Sequence, residues 1–135
     1  MMRQKYSKGF SLIELMVVVA IVGILSAIAY NSYINNVIAS KRSEGRAGLT
    51  ATAASLEKCK SLYGAFDAAN CNVPATVTTE TNLYSIDTAT TRNATTITLE
   101  ATAIGSQVRD LDCVTLSLDN TGVKTATGAD TTDCW

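Results

Sequence analysis

An apolar run near the N-terminus constrains this chain more than any other feature. From Phe10 to Tyr30 the sequence holds one charged residue, Glu14, and most other positions are Leu, Ile, Val, Met or Ala. About 20 apolar residues in a helix are enough to cross the ~30 Å hydrocarbon layer of a membrane. Three basic residues precede the run, and a basic flank stays on the cytoplasmic side. The sequence therefore predicts a membrane helix with the rest of the chain outside the cytoplasm.

Two simpler interpretations of this run are a secretory signal peptide and a plain membrane anchor. The small residues at 26–29 resemble a signal-peptide cleavage site, but the apolar region is longer than signal peptides have. A plain anchor does not explain Glu14, because an ionised carboxylate inside a membrane costs several kcal/mol unless it is paired. Glu14 is therefore a candidate functional residue.

The motif Lys-Gly-Phe-Ser-Leu-Ile-Glu-Leu at residues 8–15 resembles the class III signal sequence of type IV pilins. The resemblance implies that a prepilin peptidase cleaves after Gly9 and that the new N-terminal residue, Phe10, is N-methylated. Glu14 matches the glutamate of the mature N-terminus in that family, and we expect it to act in assembly and axial register. Type II secretion pseudopilins share the motif, so the motif identifies a superfamily.

Other positions extend the resemblance to type IV pilins through about Gly48. Gly23, Tyr33 and residues 41–45 look like the family, whereas Asn31 stands where these pilins commonly have a helix proline. The Cys-Trp ending resembles one group of minor pilins in the type IVa class.

Spacing of apolar residues predicts that the helix continues, as an amphipathic segment, to the region between Cys59 and Tyr63, with Gly64 as its stop signal. Arg42 falls on the polar side of this prediction, with Lys41, Glu44, Arg46, Glu57 and Lys58. The expected apolar side consists of Tyr33, Ile34, Val37, Ile38, Leu49, Ala53, Leu56 and Leu62.

Alternation of apolar and polar residues after Gly64 predicts a loop to Asn82 and then short strands. The predicted strands cover residues 83–86, 96–103, 113–118 and 123–125, with Val114, Leu116 and Leu118 on one face. The predicted fold class is α+β, with a long N-terminal helix packed on a small antiparallel sheet of three or four strands. The predicted organisation is a leader at 1–9, a membrane or filament-core helix half at 10–30, an amphipathic half at 31–63 and an extracytoplasmic β domain at 64–135.

Four cysteines lie after the apolar run, on the predicted extracytoplasmic side: Cys59, Cys71, Cys113 and Cys134. Disulfides stabilise small domains outside the cytoplasm, and four cysteines allow three connectivities. The preferred pairs are Cys59–Cys71, joining the helix end to the next loop, and Cys113–Cys134, which resembles the disulfide-closed C-terminal loop of pilins. The sequence has no Cys-x-x-Cys pair, so we expect neither a redox motif nor a zinc site.

Charge and composition argue against several functions. Loss of residues 1–9 would remove Arg3, Lys5 and Lys8 and leave 8 basic and 12 acidic side chains. The segment after Gly64 is acidic, whereas nucleic-acid binding usually requires a basic surface, so we do not expect DNA as a partner. The chain lacks histidine and any recognisable catalytic or phosphate-binding motif, so we expect no catalytic residues, cofactor or metal. Asp110 and Asp112 could form a functional carboxylate pair or weak calcium ligands, since calcium takes oxygen donors, but we interpret them as a solvated loop pair.

These features together predict a structural subunit of a type IV pilus, a minor pilin rather than a major one. The resemblance implies other pilin subunits, a prepilin peptidase and the pilus assembly platform as partners, with twitching motility, adhesion or DNA uptake as roles. The subunit would wait in the inner membrane with a cytoplasmic N-terminus and end in an extracellular pilus. The alternatives are a type II secretion pseudopilin, a major pilin and a DNA-binding competence pilin.

Overall fold

A computed structural model describes residues 9–135, apart from the side chain of Asn31. Except for Gly9, the predicted leader lies outside the described residues. The chain divides into two compact units, Met1–Asn36 and Val37–Trp135. Of the described residues, 9–36 comprise the first part of a long helix and the few residues before it, and the second unit contains the rest of that helix and five strands.

The helix α1 runs from Leu12 to Tyr63. It begins directly after Ser11, whose carbonyl oxygen accepts a hydrogen bond of 3.2 Å from the amide of Leu15. It ends before Gly64, which has a φ of +83° and donates its amide to the carbonyl oxygen of Lys60. Glycine adopts positive φ at little cost and commonly ends helices. The predicted end of the helix is confirmed.

In the second unit, α1 buries one stripe of side chains against the sheet. Its members recur every three or four residues, as one face of an α-helix requires. They are Arg42, Gly45, Leu49, Thr52, Leu56 and Cys59. Three assignments from the sequence are wrong. Tyr33, in the first unit and on the predicted apolar side, is 66% exposed. Arg42 belongs to the buried side, and Leu62 is 64% exposed because the stripe ends at Cys59.

Five antiparallel strands form a single sheet in the order β1-β2-β3-β4-β5. They are β1 (Thr76–Thr78), β2 (Tyr84–Asp87), β3 (Thr98–Ala103), β4 (Thr115–Asp119) and β5 (Lys124–Thr127). The sequence predicted three or four strands and a loop in place of β1. A three-residue edge strand is too short to show alternation, and only its pairing with β2 reveals it. Val114 precedes β4 and is 40% exposed, so it does not share the buried face of Leu116 and Leu118 as predicted.

The two faces of the sheet differ completely in chemistry. The inward face packs on α1 and on Phe66 through Tyr84, Ile86, Leu99, Ala101, Leu116 and Leu118. The strand register aligns hydroxyl residues across all five strands on the outward face: Thr78, Ser85, Thr102, Thr115 and Thr127. A second outward row consists of Thr76, Asp87, Glu100, Ser117 and Thr125. One face is thus the core, and the other is suited to water.

Two glycines allow α1 to lie close to the sheet. A Cβ at Gly45 would lie 3.0 Å from the ring of Tyr84, and a Cβ at Gly48 would lie 2.8 Å from Cδ1 of Ile86. Real Cβ atoms essentially never approach a neighbour as closely as 2.8 Å. The helix therefore depends on a missing side chain at Gly48 to reach its observed position on β2.

Candidate functional site

The predicted cleavage and methylation positions lie just before α1. Gly9 and Phe10 have no regular secondary structure, and the side chain of Phe10 is 83% exposed. A Cβ at Gly9 would have no atom within 4 Å, so packing within the described residues does not require glycine there. A requirement for glycine at this position would therefore come from recognition by another protein.

Glu14 lies in the first turn of α1, and its side chain is exposed. A carboxylate in the first turn interacts favourably with the helix dipole. Within residues 9–135, Glu14 has no ion-pair partner.

The first unit exposes its apolar side chains. All the large apolar residues from Phe10 to Ile28 are more than half exposed, among them Leu12, Ile21 and Leu25. Within the described residues, α1 is the helix with a segment long and apolar enough to cross a membrane. Exposed apolar surface of this extent marks contact with lipid or with other proteins.

The second unit contains two disulfides. The bond between Cys59 and Cys71 joins the last turns of α1 to the loop before β1, and the bond between Cys113 and Cys134 closes a loop that contains β4 and β5. The chain thus has the predicted disulfide-closed C-terminal loop.

A buried ion pair joins α1 to the start of the C-terminal loop. Arg42 binds Asp110 with two hydrogen bonds of 2.7 Å, from Nε to Oδ2 and from Nη2 to Oδ1. The exposed fractions of these residues are 7% and 2%. The interpretation of Asp110 as a solvated loop residue is therefore wrong. Asp112 fits that interpretation better, since its side chain is 57% exposed and lies 3.8 Å from Nη2 of Arg42.

Asp110 is held ionised by its surroundings. Burial alone raises the pKa of its carboxyl. Two effects outweigh burial and lower that pKa below its usual range: hydrogen bonds from Arg42, the Cys113 amide and Gln107, and the positive charge of Arg42. Gln107 is itself fully buried and also donates to the carbonyl oxygen of Ile38 on α1. A buried carboxylate is stable only when paired in this way.

The last residues of the chain are bound to α1 and to β5. Arg46 donates from Nε to the Cys134 carbonyl oxygen at 2.9 Å, and from Nη2 to the Asp133 carbonyl oxygen at 3.2 Å. The Trp135 indole donates to the Thr125 carbonyl oxygen at 2.7 Å. The C-terminal segment is therefore held by side-chain hydrogen bonds as well as by its disulfide.

Sequence reasoning missed the roles of Arg42, Arg46 and Asp110, although a signal was present. Arg42 is seven residues before Leu49 and fourteen before Leu56, which is the spacing of one helix face. An arginine is usually expected at the protein surface. Because its partner Asp110 is 68 residues away, the sequence does not reveal the ion pair. Within residues 9–135, no group of His, Cys, Asp or Glu is arranged to hold a metal ion.

Two families match the chain. Residues 4–30 match the prokaryotic N-terminal methylation motif, and residues 31–117 match the family described as "Type IV minor pilin ComP, DNA uptake sequence receptor". The second match covers more than half of the chain and includes the second half of α1 and the first three strands.

Two curated proteins are similar to it. The fimbrial protein EcpC of Eikenella corrodens is 34% identical over 112 residues, which is 80% of this chain and 72% of that protein. The type IV major pilin protein PilA of Myxococcus xanthus is 53% identical over 45 residues, which is 33% of this chain and only 20% of the relative. The motif, the fold and these matches agree, and the chain belongs to the type IV pilin family.

Proposed function

We propose that this chain is a minor pilin that is cleaved between Gly9 and Phe10, methylated at Phe10 and inserted into a type IV pilus through the first half of α1. The observation that carries the proposal is the exposed apolar surface from Phe10 to Ile28, which lies within the N-terminal methylation motif at residues 4–30. The family comparisons favour a pilus subunit over a secretion pseudopilin. The match to minor pilins favours a minor over a major subunit.

Before assembly, the same helix half would hold the subunit in the inner membrane, with its N-terminus in the cytoplasm. The prepilin peptidase and the assembly platform are the partners that this route requires. Replacing Gly9 with Val should block cleavage, and N-terminal sequencing of the mature protein should begin at Phe10. A different first residue would contradict the proposed processing site.

Glu14 would act in assembly by pairing with the methylated α-amine of Phe10 in the filament. Both groups lie in or beside apolar surface, and a lone charge there costs several kcal/mol of desolvation. Only one stagger of neighbouring subunits brings the two groups together, so the pair would also set the register.

The test of this role compares Glu14→Ala and Glu14→Gln with the unmodified chain. Immunoblots should show normal cleavage and membrane insertion of both variants, and sheared pili should contain much less of them. Normal recovery of Glu14→Ala in pili would show that the carboxylate is dispensable. Failure of cleavage would place the role of Glu14 at processing instead.

A second candidate function is DNA binding, since the family that matches residues 31–117 is described as a DNA uptake sequence receptor. The outward strand positions argue against it. They carry Asp87, Glu100 and Asp119 and hydroxyl residues, with no lysine or arginine among them. We therefore expect no shift of duplex DNA by the purified chain in gel electrophoresis at low salt. A salt-dependent shift would make DNA binding the better proposal.

A further inference from the structure

Four contacts around the C-terminal disulfide do not involve its sulfur atoms. Asp110 Oδ1 accepts a hydrogen bond of 3.2 Å from the backbone amide of Cys113. Arg46 donates to the backbone carbonyl oxygens of Cys134 and Asp133, and Arg42 donates to that of Asp133 at 3.4 Å. Each contact reaches a backbone atom, so the same contacts are available when both cysteines carry free thiols.

These contacts hold the two backbone segments that contain Cys113 and Cys134 at the same time. Arg42 binds Asp110 and so fixes the backbone that leads into Cys113. Arg46 lies four residues later on α1, on the same side of the helix, and fixes the backbone of Cys134. In the structure the two cysteine Cα atoms are 5.6 Å apart, within the range that a disulfide requires.

We propose that Arg42, Arg46 and Asp110 are positioning residues for the oxidation of Cys113 and Cys134, and that they select this pair over the competing connectivities. By docking both segments on α1 before any bond forms, they raise the effective concentration of one thiol at the other. The inference goes beyond the role in the pilus and does not depend on it.

The chemistry is ordinary thiol–disulfide exchange with an external disulfide as oxidant. One cysteine thiolate attacks the oxidant, forms a mixed disulfide and releases one reduced thiol. The second thiolate attacks the protein sulfur of that mixed disulfide and releases the other half. Two electrons pass to the oxidant, and the two cysteines lose their protons. Positioning accelerates the second attack, because that step needs Cys113 and Cys134 to meet.

The other pair has fewer such contacts and serves as an internal reference. Cys59 and Cys71 are 12 residues apart, against 21 for Cys113 and Cys134, and a shorter loop closes with a smaller entropic cost. In the described part of the chain no arginine side chain binds Cys59 or Cys71 itself; the nearest such contact is from Arg92 to the Val73 carbonyl oxygen at 3.3 Å, and the variants leave it intact. Loss of the positioning contacts should therefore affect one disulfide and leave the other unchanged.

The experiment follows reoxidation of the full chain, reduced in detergent micelles, with a mixture of reduced and oxidised glutathione. Alkylation at successive times and peptide mapping without reduction give the rate of each pair. The variants are Arg42→Gln and Arg46→Gln, and the control is Arg109→Gln, an exposed arginine whose side chain makes no hydrogen bond within the described residues. Arg46→Gln keeps the buried ion pair, so it remains informative if Arg42→Gln fails to fold.

In Arg46→Gln the Cys113–Cys134 bond should form at least about tenfold more slowly, because the variant loses two hydrogen bonds from a charged guanidinium group. The initial rate of Cys59–Cys71 formation should stay normal. Peptides that link Cys71 to Cys113 or Cys134 should appear in the fraction of molecules in which Cys59–Cys71 has not yet formed. In concentrated guanidinium chloride the difference between variant and unmodified chain should disappear, because the docked state is lost. Normal rates in Arg46→Gln, or equal slowing of both pairs, would overturn the proposal.

Discussion

The two halves of α1 have the same secondary structure but are stabilised in opposite ways. Before Asn36 the apolar side chains are exposed, and Leu25 is 61% accessible. After Val37 a stripe of the same helix is buried, and Leu49 and Leu56 are fully covered by the rest of the chain. The second half is thus completed by its own sheet, whereas the first half needs lipid or other subunits. A sequence change should therefore act on folding in one half and on assembly in the other.

The largest expected effect is the loss of the buried ion pair in the second unit. Arg42→Ala leaves the carboxylate of Asp110 buried without its partner, which should lower the free energy of unfolding by about 3–5 kcal/mol. The measurement is denaturant unfolding of the full chain in micelles, followed by the fluorescence of Trp135, the only tryptophan. Arg109→Ala is the matched control and should change this free energy by less than about 0.5 kcal/mol. Equal effects of the two variants would contradict the importance of the pair.

A pair of leucine substitutions tests the contrast between the halves directly. Leu56→Ala opens a cavity under the sheet and should cost about 2–5 kcal/mol in the same unfolding assay. Leu25→Ala should leave the free energy of unfolding unchanged, because the Leu25 side chain is exposed and is not part of the core. Recovery in sheared pili should instead fall for Leu25→Ala. A clear loss of stability in Leu25→Ala would show that the two halves are coupled.

The same substitution at two glycines of α1 should have opposite signs. Gly48→Ala brings a Cβ to within 2.8 Å of Ile86 and 3.1 Å of Thr79, and overpacking of this kind costs about 1–3 kcal/mol, which we expect to exceed the gain of up to about 1 kcal/mol in helix propensity. Gly23→Ala places its Cβ in open space and should strengthen the helix by up to about 1 kcal/mol. Thermal unfolding of each full-length variant in micelles, followed by circular dichroism, would compare their stabilities with that of the unmodified chain. Stabilisation by Gly48→Ala would mean that the sheet moves easily away from the helix.

The smallest effect is the contribution of Asp110 to stability at acid pH. Its pKa is lower in the folded chain than its ordinary value, so its stabilising effect is complete above about pH 4 and is lost as the pH falls through the lowered pKa. Asp87, Asp119 and Asp130 also have lowered pKa values. The comparison of unfolding against pH for the unmodified chain and for Asp110→Asn therefore isolates this group. Parallel curves would show that Asp110 contributes nothing to the acid sensitivity.

Much of the architecture followed from the sequence, because local patterns encode it. The helix and its end at Gly64, the strands after Asn82 and the closed C-terminal loop were all predicted. β1 was missed because three residues carry too little pattern. The burial of Arg42 was missed because its stability depends on Asp110, and no local rule connects residues so far apart. The roles of Gly9, Phe10 and Glu14 stay predictions, because they depend on molecules other than this chain.

The outward face of the sheet affects how the sequence can diverge among relatives. Along β2, β3 and β4, every second side chain packs in the core and the next one meets only its neighbours on the surface, as Leu99 and Glu100 do. Exposed strand positions tolerate replacement far better than buried ones. Substitution rates among relatives should therefore alternate with a period of two along these strands, so that the chemistry of one face can drift between lineages while the fold persists.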